Sequence, residues 1–137
     1  MSVDDLAERL SRLEDGELAR ELVYDYAHVL DEPSPETVAA LFAPDATLTT
    51  PGGTVRGTDE ITAFFARAFA AARSAKRHFV ANPRVTRVAP ARIRVRSAYL
   101  YTDREVLGWG TYDDLIDVSG PLFRAKTITP GSTLTLP

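Results

Sequence analysis

The apolar pattern of the chain changes its period once, at about Ser74, and this change limits what the chain can fold into. Before Ser74, apolar residues recur every three to four positions, which is typical of amphipathic helices. After Ser74 they alternate with polar residues, which is typical of strands with one buried face. The alternation is clearest over residues 92–102. The sequence therefore predicts helices first and an antiparallel meander afterwards.

The second half of the chain reads as four strands separated by turns. They are predicted over residues 77–88, 92–102, 106–118 and 122–129. Pro83 predicts a bend or bulge in the first of them, because proline cannot donate to a sheet ladder. The segment 130–137 is rich in glycine, serine, threonine and proline, so we expect it to be a loose tail.

The first half of the chain reads as helices interrupted by one β-hairpin. A short amphipathic helix around Leu6–Leu13 is predicted to break at Asp15-Gly16 and to be followed by a longer helix that ends at Asp31. The remaining predicted elements are a short helix over 36–42 capped by Ser34, a hairpin with strands 46–50 and 54–56, and a helix capped by Thr58 that runs to about Arg73.

This order of elements predicts an α+β fold, with helices covering the concave face of a curved, mostly antiparallel sheet. A length of 137 residues predicts a single domain over residues 1–137.

The composition excludes several classes of protein. A net charge of −3 gives no reason to expect nucleic acid as a partner. The absence of cysteine excludes disulfides, thiol catalysis and thiolate metal sites. No apolar run is long enough to span a membrane, and the acidic, polar start does not read as a secretion signal. A cytoplasmic location is therefore predicted.

The stretch Lys76–Pro83 carries the most informative polar residues. In a strand His78, Val80 and Asn82 share one face, while Phe79 and Ala81 share the other. An imidazole and an amide on the same face as a small apolar side chain suit the floor of a pocket.

Asp31 is unusual because it is a carboxylate at the C-terminal end of a predicted helix. A carboxylate is disfavoured at the negative end of the helix dipole, so another group should compensate it. A nearby histidine would do so. The pair Asp31–His78 would fix the imidazole tautomer, and the second ring nitrogen would be free to move a proton. The alternative is a buried histidine that a carboxylate satisfies for purely structural reasons.

Several segments together give the chain a family resemblance. They are the helix ending in Asp31 and the segments 38–46, 57–61 and 77–82. On these features the chain resembles the SnoaL-like group of the NTF2-like superfamily, cone-shaped α+β barrels that include scytalone dehydratase, limonene epoxide hydrolase, steroid Δ-isomerase and polyketide cyclases. The resemblance spans about residues 17–128, and it is more specific for fold than for chemistry.

Within that group the pattern is most similar to scytalone dehydratase. The resemblance implies that Asp31 orients His78, which acts as general base and acid. Other positions of the dehydratase site are not kept: its two tyrosines fall on Leu30 and Thr50, and a second histidine and an asparagine fall near Ser97 and Thr111.

A mostly apolar pocket with few polar groups is typical of a small-ligand site. The predicted substrate-binding residues are Tyr26, Thr50, Phe64, Val80, Asn82, Ser97, Tyr99, Trp109 and Thr111. For Asn82 the possible role is donation to a developing oxyanion. For the others, ordinary core packing remains the alternative.

The remaining charged clusters are predicted to be structural. His28 lies three residues before Asp31, but it reads as a helix-face residue, and we expect no metal and no cofactor. The aspartates at 113, 114 and 117 read as a solvated hairpin end, and the arginines at 92, 94 and 96 as an outer sheet face or dimer surface.

Two functions from different classes follow. The first is a cofactor-independent enzyme that performs acid–base dehydration, isomerisation or cyclisation on a small hydrophobic molecule. The second is a non-catalytic ligand-binding or dimeric interaction module of the same fold. A homodimer is expected in either case, because an open curved sheet leaves an apolar face to cover.

Overall fold

The computed structural model describes residues 1–72 and 75–137, which form helices and one sheet in the predicted order. The elements are α1 (Val3–Asp31), α2 (Pro35–Ala39), β1 (Phe42–Thr50), β2 (Gly53–Arg56), α3 (Gly57–Ala71), β3 (Arg77–Ala89), β4 (Arg92–Thr102), β5 (Val106–Asp117) and β6 (Leu122–Thr135).

The strands form one open, mixed sheet in the order β2-β1-β6-β5-β4-β3. Among the described strands only β1 and β6 pair in parallel, and the other pairs are antiparallel. The helix α1 packs against β3 and β4, and α3 packs against β1 and β2. The predicted α+β class with a mostly antiparallel sheet is confirmed.

The core lies between the helices and the inner face of the sheet. Its centre is the ring of Tyr26 on α1, which makes edge contacts with Phe42, Phe65, Tyr112 and Phe123. These contacts tie α1 to strands from both halves of the sheet and to α3. Within the described residues, no helix has both the length and the apolar character needed to cross a membrane.

The predicted helix break at Asp15-Gly16 is wrong, because α1 continues through it. Gly16 is buried, and a Cβ at this position would lie 3.7 Å from Val85 on β3. Glycine inside a helix costs about 1 kcal/mol, and the close packing of α1 on β3 offsets that cost. The N-terminal turns of α1 extend past the core, so that Leu6 and Leu10 are exposed.

The N-terminal cap predicted from the sequence is present in α2 but not in α3. The Ser34 side chain accepts a hydrogen bond from the backbone N–H of Thr37 at 3.4 Å, as predicted, but α2 ends at Ala39 and Phe42 begins β1. The predicted Thr58 cap is wrong, since α3 begins at Gly57 without a side-chain cap. The predicted end of this helix at about Arg73 lies outside the described residues.

The strands of the second half match their predicted ranges, except that the last strand continues past its predicted end. The pairing of β3 with β4 shifts between Ala81 and Arg84, which confirms the irregularity predicted near Pro83. The prediction of a loose tail from residue 130 is wrong, because β6 continues to Thr135 and pairs with the start of β5.

Charge pairs cover part of the outer sheet face. Arg94 and Arg96 of β4 pair with Asp113 of β5, and Arg92 lies 2.9 Å from Asp117. The interpretation of the arginines as an outer face is therefore confirmed. The interpretation of the aspartates as a solvated hairpin end is wrong, most clearly for Asp114, which is fully buried.

Candidate active site

A cavity of about 620 Å³ lies between α1, α3 and the sheet. Its wall is mainly apolar and aromatic, and the rings that line it include Tyr26, Phe65, His78, Tyr99, Tyr101 and Tyr112. A volume of this order is typical of a site for a small organic molecule.

The predicted contact between Asp31 and His78 is present at one side of this cavity. The Nδ1 atom of His78 lies 3.0 Å from Oδ1 of Asp31. The backbone N–H of His78 donates to the same oxygen at 2.8 Å, and Arg77 lies 3.6 Å from Oδ2. Because an ionised carboxylate only accepts, Nδ1 carries a proton in this pair and Nε2 is left with its lone pair. These donors compensate the carboxylate at the end of α1.

The His78–Asp31 pair is partly shielded from water, since both side chains are 15% exposed. Burial lowers the pKa of His78 below its ordinary value of 6.5, and the hydrogen bond and charge of Asp31 oppose this effect only in part. The nearby Lys76 lowers the same pKa further. The neutral imidazole, which can accept a proton at Nε2, is therefore the dominant form at neutral pH.

A lowered histidine pKa has a consequence for stability. Between the folded pKa and 6.5 the unfolded chain binds more protons at His78, so this residue's contribution to stability is complete above pH 6.5 and is lost as the pH falls. We expect the free energy of unfolding to fall more between pH 8 and pH 5 in the native chain than in His78→Gln. Urea unfolding at several pH values measures this, and parallel pH profiles for the two chains would contradict it.

A row of rings runs along the inner face of the sheet from His78 into the core. The ring centroids of His78 and Tyr101 are 6.1 Å apart, those of Tyr101 and Tyr99 6.5 Å, and those of Tyr99 and Tyr112 4.5 Å. His78 pairs in register with Tyr101, which explains why the imidazole begins this row.

Two glycines of β5 make room for this row. Gly108 stands opposite Tyr101 and Gly110 opposite Tyr99 in the β4–β5 register. A Cβ at Gly108 would collide with the Tyr101 ring, and one at Gly110 would collide with the backbone oxygen of Thr129 and lie 2.5 Å from the Tyr99 hydroxyl. The two tyrosine rings therefore lie flat against the backbone of β5, where no side chain intervenes.

Gly110→Ala is expected to destabilise the fold by about 1–3 kcal/mol, because the methyl group has to displace both the Tyr99 ring and backbone. Urea unfolding measures the loss. The matched control is Gly120→Ala, where an added Cβ meets nothing within 4 Å and a change within about 0.5 kcal/mol is expected. Equal stability of the two variants would contradict the prediction.

Only some of the predicted substrate-binding residues line this cavity. Tyr26, Tyr99 and Trp109 do, with Trp109 at the rim and 44% exposed. Thr50 and Phe64 instead line a second, separate pocket beside β2.

The other four predicted lining residues lie elsewhere. Val80 is half-buried and packs against the core, and Ser97 is buried with no partner for its hydroxyl among the described residues. Asn82 is exposed at the β3 irregularity with φ 54°, and Thr111 is exposed on the outer side of β5. Neither residue lines the cavity, so the oxyanion role of Asn82 and the site role of Thr111 remain predictions without support from the position of these side chains.

Sequence reasoning missed the pair Lys126–Asp114, which lies in the core next to two rings that line the cavity. Both side chains are fully buried, and Nζ lies 3.0 Å from Oδ1 of Asp114. The same Nζ lies 3.9 Å from the ring centroids of Tyr26 and Tyr112. The sequence does contain a signal for this pair. Tyr112, Asp114 and Ile116 alternate in one strand, which places Asp114 on the buried face, and a buried carboxylate needs a cation.

The interpretation of His28 as a helix-face residue is confirmed, because its side chain is exposed on α1. Among the described residues, no three histidines or carboxylates come close enough together to hold a metal ion.

Comparisons with known proteins identify the family of the chain. A family model described as a SnoaL-like domain matches residues 11–117. No curated protein matches the chain.

Solved structures share the fold at low sequence identity. A scytalone dehydratase candidate from Novosphingobium aromaticivorans is 22% identical with a TM-score of 0.79, covering 92% of this chain and 90% of its own. A hexachlorocyclohexane dehydrochlorinase from Novosphingobium barchaimii is 17% identical with a TM-score of 0.83, covering 93% and 94%. An NTF2-like protein with a cystatin-like fold from Novosphingobium aromaticivorans is 23% identical with a TM-score of 0.74, covering 96% and 92%. The shared architecture is thus the NTF2-like fold.

Proposed function

Because the chain belongs to the SnoaL-like domain family, we propose that it is a small enzyme that performs acid–base chemistry on a hydrophobic molecule held in the cavity. The observation that carries this proposal is the Asp31–His78 pair at the wall of an apolar cavity of about 620 Å³. His78 is the general base and acid, and Asp31 is its positioning residue.

The proposed step is proton removal from carbon by Nε2 of His78. The imidazole becomes an imidazolium, and the Asp31 carboxylate beside Nδ1 stabilises the new positive charge. The electron pair of the broken C–H bond either expels a leaving group, giving an elimination, or moves along a conjugated system, giving an isomerisation once the proton returns at another carbon. All atoms are conserved without a cofactor.

Elimination is the favoured reaction class. The names of two structural neighbours, a dehydratase candidate and a dehydrochlorinase, describe the loss of water and of hydrogen chloride, respectively. The positions that correspond to the dehydratase tyrosines hold Leu30 and Thr50 here, and Thr50 lies outside the cavity. We therefore propose a different substrate with the same type of proton transfer.

Turnover of a generic proton-abstraction probe tests the proposal. The probe 5-nitrobenzisoxazole opens to a coloured phenolate when a base removes its ring proton. We expect saturable turnover that rises with pH to a plateau, with an apparent pKa below 6.5 set by His78. A panel of cyclic β-hydroxy ketones, β,γ-unsaturated ketones and chlorinated cyclohexanes then distinguishes dehydration, isomerisation and dehydrochlorination.

Two results would count against catalysis by this chain. A rate no greater than that of free imidazole at equal concentration, for the probe and for the whole panel, would contradict the enzyme. Saturable binding of panel members without turnover would instead support the second function, a non-catalytic ligand-binding module.

We also propose a homodimer through the outer sheet face, in a cytoplasmic protein. Phe79, Leu100 and Trp109 are neighbours in register across β3, β4 and β5, and each is at least 36% exposed. Light scattering is expected to give twice the chain mass of 15.0 kDa, and Leu100→Glu is expected to give the monomer. A monomeric native chain would contradict this.

A further inference from the structure

The first turns of α1 carry a row of large apolar side chains that the rest of the described chain leaves exposed. These residues, which we call the N-terminal stripe, are Val3, Leu6, Leu10 and Leu13, with exposed fractions of 80%, 54%, 57% and 71%. Their spacing of three, four and three residues places them along one side of the helix. The same spacing is that of the first and fourth positions of a heptad repeat, where one helix packs against another.

The N-terminal stripe points away from the body of its own chain. On the opposite side of the same turns, Glu8 lies 3.5 Å from Arg87 of β3. Further along the helix, Gly16 is buried close to Val85 of the same strand. Because α1 covers the inner face of the sheet, the stripe is also a different surface from the outer sheet face.

The helix that presents the stripe is fixed at its start by a capping box. The Ser2 side chain accepts a hydrogen bond from the backbone N–H of Asp5 at 3.0 Å, and the Asp5 carboxylate accepts one from the backbone N–H of Ser2 at 3.1 Å. One turn later Glu8 and Arg12 form an ion pair at 3.0 Å. A helix that is already formed loses little conformational entropy when it binds a partner.

Two charges border the stripe and have no ion-pair partner among the described residues. They are Arg9 on one border and Glu14 on the other. The charge on the opposite side of the helix differs in this respect, because Glu8 pairs with both Arg12 and Arg87. The borders of the stripe therefore offer one cation and one anion to a partner.

These two charges fit a second copy of the chain in parallel orientation. In a parallel helix pair, the residue before a first position lies beside the partner residue that follows the next fourth position. Arg9 of one copy then meets Glu14 of the second copy, and the twofold axis makes this contact twice. In an antiparallel pair Arg9 would instead lie near Arg9 of the second copy.

Charge also favours a second copy over a lipid surface as the occupant of the stripe. Residues 3–15 contain five carboxylates and two arginines. Helices that lie on a membrane are rich in lysine and arginine on their polar face, because the lipid surface is anionic. An acidic polar face is repelled from such a surface.

We propose that two copies of this chain associate through their N-terminal stripes as a parallel two-helix coiled coil over residues 3–13. The next first position holds Glu17, which pairs with Arg20 of its own chain at 3.6 Å, so the apolar seam ends there. Four apolar layers form a small interface, so the association is weak and increases with protein concentration. It uses a surface other than the outer sheet face and can therefore join the homodimers proposed above.

Single cysteines test this arrangement, and the native chain contains none that could interfere. Leu6 is a fourth position, where each helix of a parallel pair approaches the same residue of its copy. Under mild oxidation Leu6→Cys is expected to form an intermolecular disulfide at a rate that rises with concentration. Ser11→Cys is the matched control, exposed on the same helix but outside the stripe. It is expected to crosslink about tenfold or more slowly, because its sulfur stays beyond disulfide distance in the pair.

Charge reversal and mixed cysteines test the parallel orientation. In the Leu6→Cys chain, Arg9→Glu or Glu14→Arg brings like charges together across the seam, so crosslinking is expected to slow several-fold. The double reversal places opposite charges together again and is expected to restore the rate. In an antiparallel pair Leu6 would lie beside Leu10 of the second copy, so a disulfide would form only when Leu6→Cys and Leu10→Cys chains are mixed.

The outcomes concern α1 alone and do not depend on turnover. Leu6→Cys is expected to crosslink also in combination with Leu100→Glu, because Leu100 lies on the outer sheet face. Crosslinking no faster than that of Ser11→Cys, a disulfide only in the mixture with Leu10→Cys, or a double reversal that fails to recover would each overturn the proposal. A crosslink that is lost with Leu100→Glu would also overturn it, because the stripe would then not be an independent surface.

Discussion

His78→Ala is expected to lower kcat/KM for proton abstraction by about 10²–10⁴-fold, the usual contribution of a positioned general base. The imidazole is the described titratable group that lies at the cavity wall, keeps a free ring nitrogen and is oriented by a carboxylate. Ligand affinity is expected to change only a few-fold, because the apolar wall is untouched. Rates with 5-nitrobenzisoxazole and with the best panel substrate measure the loss.

The matched control is His28→Ala. This second histidine is exposed on α1, so its removal is expected to leave the rate unchanged. Near-native turnover in His78→Ala, with a folded chain, would remove His78 from the mechanism.

Asp31→Asn separates positioning from proton transfer. The asparagine oxygen still accepts from Nδ1, but the negative charge that raises the pKa of His78 is gone, so that pKa is expected to fall further. The pH–rate profile of Asp31→Asn should therefore rise at lower pH than that of the native chain and reach a lower plateau. A profile with unchanged midpoint would mean that Asp31 has only a structural role.

The architecture follows from the sequence because strand and helix periods are local signals. The change of period near residue 74 is enough to predict helices and then a meander, and the strand ranges from Arg77 to Thr102 match the structure. The errors arise where tertiary contacts override local preference. The helix continues through Gly16 because α1 packs along β3, and residues 130–135 form a strand because β5 offers them a partner.

The site is predictable only in part, for a similar reason. Asp31 and His78 are found because a carboxylate at a helix end needs a donor and the family resemblance indicates one. The residues that line the cavity are less predictable, because they depend on where glycines in the neighbouring strand leave room for aromatic rings. Tyr101 and Tyr112 line the cavity through their positions opposite and beside Gly108 and Gly110, and strand alternation does not reveal that arrangement.

The buried pair Lys126–Asp114 shows how a charge inside the core acts on both stability and the cavity. Burial lowers the pKa of Lys126 and raises that of Asp114, while each charge opposes the shift of the other. Each charge is therefore compensated in the core only while the other partner is present. In addition, Lys126 lies 3.9 Å from the centroids of two tyrosine rings, those of Tyr26 and Tyr112.

Lys126→Met is expected to destabilise the fold by about 3–5 kcal/mol, because it leaves the Asp114 carboxyl buried without its cation. Methionine keeps most of the apolar volume, so the loss reports charge and not a cavity. The double variant Lys126→Met/Asp114→Leu is expected to recover most of the stability, since it removes the uncompensated group. Urea unfolding of the single and double variants measures both changes.

The pH dependence identifies the cause of this loss. In Lys126→Met the folded pKa of Asp114 rises further above its unfolded value, so the native state binds the extra proton and stability falls as the pH increases through that window. The deficit should therefore be smaller in mildly acidic solution than at neutral pH.

Arg124→Met is the matched control for Lys126→Met on the same strand. Arg124 pairs with Asp45 and Asp117 on the outer face, with a third of its side chain exposed, and its removal is expected to cost at most about 1 kcal/mol. If Lys126→Met costs no more than Arg124→Met, the buried cation contributes little to the stability of the fold.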